Sequence, residues 1–210
     1  GLYRSLNCGR GSNDKKQNVS KNLKIVSKKM KVDSNNIILM HQTHSNKVIQ
    51  INKNNIKKQI NSDSIITKIK GLDLWFVTAD CVHFFLFDYQ NKIVGCVHAG
   101  WKGAFKGIIK NTISKIRSVS PNNKIYACIG PCIGKKSYEV GLDFYKKFIS
   151  KSKKYKSYFT FKNKNKKFFN LRKFVCDKLK LQNVKIDHVN RDTFKESHNF
   201  FSFRRTSVLK

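Results

Sequence analysis

Three stretches far apart in the sequence carry side chains able to bind a metal or attack a carbon. The loop His41-Gln-Thr-His44 offers two imidazoles. Cys81 follows Thr78-Ala-Asp80 at the junction of two β-rich runs. His98 ends another run and opens Ala99-Gly100-Trp101-Lys102-Gly103. Reactive groups are commonly assembled this way, on loops held by a rigid sheet. Two imidazoles and one thiolate suit zinc, and three protein ligands leave the fourth tetrahedral position open, as at catalytic sites. Taken singly, each such His is more often a hydrogen-bonded structural residue, and Cys81 more often a core residue. The glycines of His98–Gly103 and of Gly130-Pro-Cys-Ile-Gly134 let backbone approach a ligand closely, and a helix start after the first of them favours an anion. Plain tight turns explain the same glycines.

These loops need elements to hold them. Val19, Leu23, Val26 and Met30 share one helical face, which predicts a helix over 18–31. Ile37–Met40 and Val48–Ile51 read as strands around a polar insert, 41–47. Leu72–Thr78, Val82–Asp88 and Ile93–His98 are β-rich runs in quick succession, the last two joined as a hairpin. An apolar stripe from Phe105 to Ile116 predicts a helix over 104–117. Ile125–Ile129 reads as a buried strand that breaks at Gly130-Pro131. Helices are expected over 142–149 and 170–181, and strands over 184–189 and 200–203. The segment 146–180 carries 14 basic residues and one acid, and reads as peripheral. The first 14 residues read as loop and turn. This order predicts an α+β fold: one mixed-sheet domain with flanking helices, spanning 1–210.

The chain's 210 residues suffice for one such domain with a real core. No apolar run approaches the ~20 residues of a membrane span. Six cysteines with no C-x-x-C pair and no signal-peptide pattern point to a reduced, cytoplasmic protein. The charge is unusual: 44 Lys+Arg against 12 Asp+Glu give a net +32. Such a field attracts polyanions, so a basic nucleic-acid-binding module is one alternative reading. Yet 37 of the 44 cations are Lys. Base readers and phosphate clamps favour the planar fork of Arg. No recognition-helix pattern is present either, so no specific nucleic-acid partner is expected.

Several motifs occur together in a telling order. They are Ser5-Leu-Asn-Cys-Gly9, Gln42-Thr-His44, Thr78-Ala-Asp-Cys81, Val97-His-Ala-Gly-Trp-Lys-Gly103, Ile129-Gly-Pro-Cys-Ile-Gly134 with Tyr138-Glu-Val-Gly141, and Phe200-Phe-Ser-Phe-Arg-Arg205. The sequence resembles the bacterial polyphenol oxidase or laccase-domain family. That family is also called peptidoglycan editing factor, and is described as purine nucleoside phosphorylases with adenosine deaminase activity. The resemblance spans nearly the whole chain. It implies a single α+β domain and a zinc site formed by His44, Cys81 and His98, with copper as the other occupant to consider. It implies phosphorolysis of adenosine, inosine and 5′-methylthioadenosine, and hydrolytic deamination of adenosine. It also implies a further segment ahead of Gly1. The chain departs from the family pattern at Lys102, where Arg is usual, at His83, where Pro is common, and at Asp192, where Cys is frequent. His83 lies two residues from Cys81, hence on the same strand face, and could crowd or join the site.

For deamination, hydroxide generated at a metal would attack the carbon bearing the amino group. Asp80 is one candidate for the proton relay, Cys81 and His98 being the other candidate catalytic residues; strand neighbours face opposite ways, so Asp80 could instead brace a loop. For phosphorolysis, Lys102, Arg204 and Arg205 are candidate phosphate holders by charge; structural ion pairing is the other reading of the two arginines. A second enzyme class uses the same atoms without metal: Cys81 as nucleophile and His98 as base, acting on an amide in peptidoglycan precursors. A multi-copper oxidase fits less well, because 6 His cannot furnish such a centre.

Overall fold

The computed structural model describes residues 3, 6–56, 58–121 and 124–208. Ser5, which opens the first motif, and residues 209–210 lie outside the described residues. Helix α1 (Lys16–Met30) precedes strands β1 (Ile37–His41), β2 (Val48–Ile51), β3 (Ile60–Asn61), β4 (Ser64–Thr67) and β5 (Asp73–Trp75). The hairpin β6 (Val82–Asp88) and β7 (Ile93–Ala99) leads into α2 (Trp101–Lys106), α3 (Ile108–Val119) and β8 (Ile125–Ile129). The chain closes with β9 (Glu139–Gly141), α4 (Leu142–Lys151), β10 (Phe159–Phe161), β11 (Lys166–Phe169), α5 (Leu171–Lys180), β12 (Lys185–His188) and α6 (Phe203–Val208).

The central sheet is mixed and six-stranded, in the order β12-β8-β6-β7-β4-β2. Its middle strands run antiparallel, while β12 joins β8 and β2 joins β4 in parallel. A parallel sheet β3-β1-β5 and an antiparallel sheet β10-β11-β9 complete the fold. The α+β expectation holds.

Strand β6 shows why the sheet has two unlike faces. Its odd and even positions alternate: Val82, Phe84 and Leu86 are buried, whereas Phe85 and Phe87 are exposed. The inward set packs on Ile108, Ile109 and Ile113 of α3 and on Phe174 of α5. Each such side chain contributes about 1.5–3 kcal/mol by leaving water. A smaller cluster on the other face joins Ile65 and Cys96 to Ile38 and Met40. This second core holds β1, and so the loop that carries His44, against the main sheet.

Several expectations need correction. The single helix over 104–117 is two helices. Gly107, at φ 97, takes the left-handed conformation that caps α2 and starts α3. The strand expected over 200–203 is absent; the Ser202 hydroxyl accepts the Arg205 N–H and starts α6 instead. The strand in 72–78 is confined to Asp73–Trp75. The basic segment 146–180 is not peripheral: Phe148, Phe169 and Phe174 are fully buried in a packed aromatic cluster, and Lys167 is buried beside them.

Candidate metal centre

His44, Cys81 and His98 converge, as their motifs imply. Their ligand atoms all lie within 4.8 Å of one another. Cys81 Sγ stands 3.9 Å from His44 Nε2, and the two imidazoles meet edge to face with centroids 4.9 Å apart. A tetrahedral ion with ordinary N and S bond lengths separates such a pair by about 3.6 Å. The donors therefore fit one ion, and their chemistry suits a borderline-soft divalent metal.

Local backbone brings them together. His44 adopts φ 56 in the loop between β1 and β2. Cys81 sits just before β6, after Asp80 at φ 79. His98 lies near the end of β7 and is buried. Gly100 makes the convergence sterically feasible. A Cβ there would stand 2.9 Å from His44 Cδ2 and 3.0 Å from Cys81 Sγ, closer than real side chains allow.

The residue that organises the centre is Asp63, which sequence reasoning missed. It is fully buried at the start of β4. One carboxylate oxygen lies 2.8 Å from His98 Nδ1, which leaves Nε2 as that ring's ligand atom. The carboxylate also accepts the backbone N–H groups of Thr43, His44 and Ser45, and the hydroxyls of Thr43 and Ser45. Its own carbonyl accepts the His98 N–H. One side chain thus fixes the His98 tautomer and the His44 turn together. Burial alone would raise its pKa, but hydrogen bonds from His98 and Ser45 reverse this and hold it well below the usual carboxylate range. A carboxylate behind a ligating imidazole is the usual second layer of such centres. Only the flanking pattern Ser62-Asp-Ser-Ile-Ile66 hinted at an acid entering a buried strand.

Burial, with the Asp80 charge next, pushes the Cys81 thiol up to about 12. His44 is shifted down by burial, then by His98, against the pull of Asp63. His83 does not join the donors. Its ring lies over Gly130 and tilts against Phe76 at 5.1 Å, with Nδ1 buried and unpartnered. Burial drives its pKa down to about 4.

A cavity of about 1380 Å³ opens beside the donors. Lys102 and Arg204 line it, and the Arg204 guanidinium lies 5.2 Å from the centroid of Tyr138, another lining residue that sequence reasoning did not assign a role. Arg205 points elsewhere. Its guanidinium donates to the carbonyls of Thr193, Phe194 and Phe200, so it ties the C-terminal segment together. Asp80 is buried, and its oxygens accept from the Thr193 and Ser202 hydroxyls and the Arg204 N–H. Asp192 likewise accepts from the Gly134 N–H and the Ser137 hydroxyl. These two acids dock the C-terminal segment and the Gly130–Gly134 loop beside the centre.

Residues 1–208 match the family described as multi-copper polyphenol oxidoreductase laccase. The chain belongs to that family. Its relatives include a protein of Rickettsia conorii named purine nucleoside phosphorylase, 36% identical over 93% of this chain and 83% of its own length. A purine nucleoside phosphorylase of Haemophilus influenzae is 31% identical over 97% of this chain and 82% of its own. Among solved structures, the hypothetical protein YfiH of Bacillus licheniformis superposes with TM-score 0.88 at 26% identity, covering 96% of this chain and 81% of its own. Neisseria meningitidis NMB0706 superposes with TM-score 0.86 at 27% identity, covering 98% and 83%. The relatives' names favour an enzyme. The family's description names copper, and the His-Cys-His group can hold a metal ion. Among the described residues no helix is long and apolar enough to cross a membrane.

Proposed function

We propose that the chain is a zinc-dependent purine nucleoside phosphorylase that also deaminates adenosine. The observation that carries this reading is the convergence of a thiol with two imidazoles held by Asp63, at a cavity that Lys102 and Arg204 also line. The relatives' names supply the substrate class. When bound, the ion supplies Lewis acidity and lowers the pKa of water to ~7.

In phosphorolysis, a phosphate oxygen forms a bond to the anomeric carbon of adenosine, inosine or 5′-methylthioadenosine. The bond to the base breaks, and the base leaves with a proton. Lys102 and Arg204 hold the phosphate, and the Tyr138 face orients the departing base beside them. In deamination, the elements of water replace the exocyclic amino group and ammonia leaves. Asp80 positions Arg204 and the C-terminal segment through its three hydrogen bonds. Arg205 supports the same segment and does not reach the phosphate. Six free thiols fit a reducing, cytoplasmic setting.

The test combines metal analysis with an adenosine assay in which adenine and inosine are followed separately. Phosphate-dependent adenine and phosphate-independent inosine are expected, and Cys81→Ala abolishes both along with bound metal. A metal-free but fully active Cys81→Ala protein overturns the reading. The His98–Asp63 pair also resembles an oriented base, which favours a Cys81 amidohydrolase as the second reading. That enzyme would cleave a muropeptide amide and keep its rate after chelation.

A further inference from the structure

The helix-free face of the central sheet carries an aromatic surface that the nucleoside reading does not use. Register places Val94, Phe87, Tyr126 and Lys185 in one row across four strands. The adjacent row is Cys96, Phe85, Cys128 and Asp187. Phe85, Phe87 and Tyr126 are 50%, 41% and 41% exposed, and Tyr89 at the hairpin turn is 64% exposed. Two ring pairs lie on it: Phe76 lies 5.2 Å from Phe85, and Phe87 lies 6.1 Å from Tyr89. Lysines border it. Lys92 Nζ stands 4.0 Å over Tyr89, Lys185 Nζ 5.6 Å over Tyr126, and exposed Lys124 precedes Tyr126 by one strand period. Asp187 is the one acid in the two rows.

We propose that this face binds single-stranded polynucleotide, stacking bases on Phe85, Phe87 and Tyr126 while Lys92, Lys124 and Lys185 follow the phosphates. Charge selects this occupant. A chain of net +32 repels a second copy of itself, and draws a polyanion to any surface that can hold one. The flat rings then select a polyanion that has π-faces, which duplex nucleic acid hides within its stack. Aromatics spaced on an open sheet hold single strands with little sequence preference, because every base offers a face to stack. Lys, rather than Arg, suits such tolerant backbone contact. The inference stands apart from the nucleoside reading, since none of these residues contributes to the metal centre or the cavity.

The experiment is fluorescence anisotropy of a labelled oligouridylate, with a duplex of equal length for comparison, from about 0.05 to 0.2 M salt. The single strand should bind more tightly than the duplex, with affinity falling steeply as salt rises. Phe85→Ser with Phe87→Ser should weaken single-strand binding at least tenfold while leaving the salt slope unchanged. Lys92→Gln with Lys185→Gln should flatten that slope by about one unit or more. Thermal melts verify that each variant folds, and Tyr126→Ala alone replaces the double variant should that one melt early. Wild-type affinity in the ring variants, or equal binding of the duplex, reduces the effect to diffuse charge and overturns the proposal. A dimer in sedimentation that the same ring substitutions abolish assigns the face to a second copy, and also overturns it.

Discussion

Asp63 shows how much of a metal centre lies behind its ligands. Its carboxylate holds the His98 ring and the His44 turn at once, so Asp63→Asn replaces an acceptor with an amide that must face N–H donors. Metal affinity should fall about 10–100-fold, read by competition with a chromophoric chelator, and the protein should melt earlier. The two C-terminal arginines should separate cleanly. Arg205→Gln leaves the carbonyls of Thr193, Phe194 and Phe200 short of donors and should cost about 1–3 kcal/mol of stability in denaturant titrations, with little change in the KM for phosphate. Arg204→Gln should raise that KM several-fold and leave stability near wild type. The three candidate donors were legible in the sequence because each belongs to a motif. Asp63 was not, because a single buried acid has no spacing to betray it. Arg204 and Arg205 were indistinguishable by charge; only the direction of each guanidinium separates them.

Among the elements, continuous β-rich runs closed by turn residues, Asp88–Lys92 after one and Gly130-Pro131 after the other, gave β6 and β8 their observed ends. The short strands β3, β9 and β10 carry too few residues to show any period, and their pairing is decided by tertiary neighbours. The helix reading over 104–117 failed at one point. The apolar stripe runs on across Gly107, so periodicity could not reveal that the backbone there turns left-handed. Gly107→Ala should cost about 1–2 kcal/mol and lower Tm by roughly 2–8 °C, measured by thermal unfolding; it should also loosen the seating of Lys102, which α2 carries. A Tm equal to wild type would show that the break is not strained.

Across the whole molecule, cations outnumber acids so heavily that few of them find partners. The ion pairs that do form include exposed Lys162 and Lys166 against Glu139, and Lys173 against Asp177. Such pairs contribute little, while self-repulsion opposes the folded state. Raising ionic strength to roughly 0.15 M should therefore raise Tm through screening, visible in calorimetry as an upward shift; a downward shift would mean that attractive pairs dominate. The lysines cannot be read as function by number alone. The buried residues inside 146–180 show why: a run that looks like solvent-facing filler anchors the core through Phe148, Phe169, Leu171, Phe174, Val175 and Leu179. The arrangement around Asp63 has one more consequence. The bonds that aim the two imidazoles belong wholly to the polypeptide, so that part of the socket is cut before any occupant arrives. Exchange of one ion for another then demands no refolding, and local supply, more than the shape of the fold, decides which element the enzyme carries.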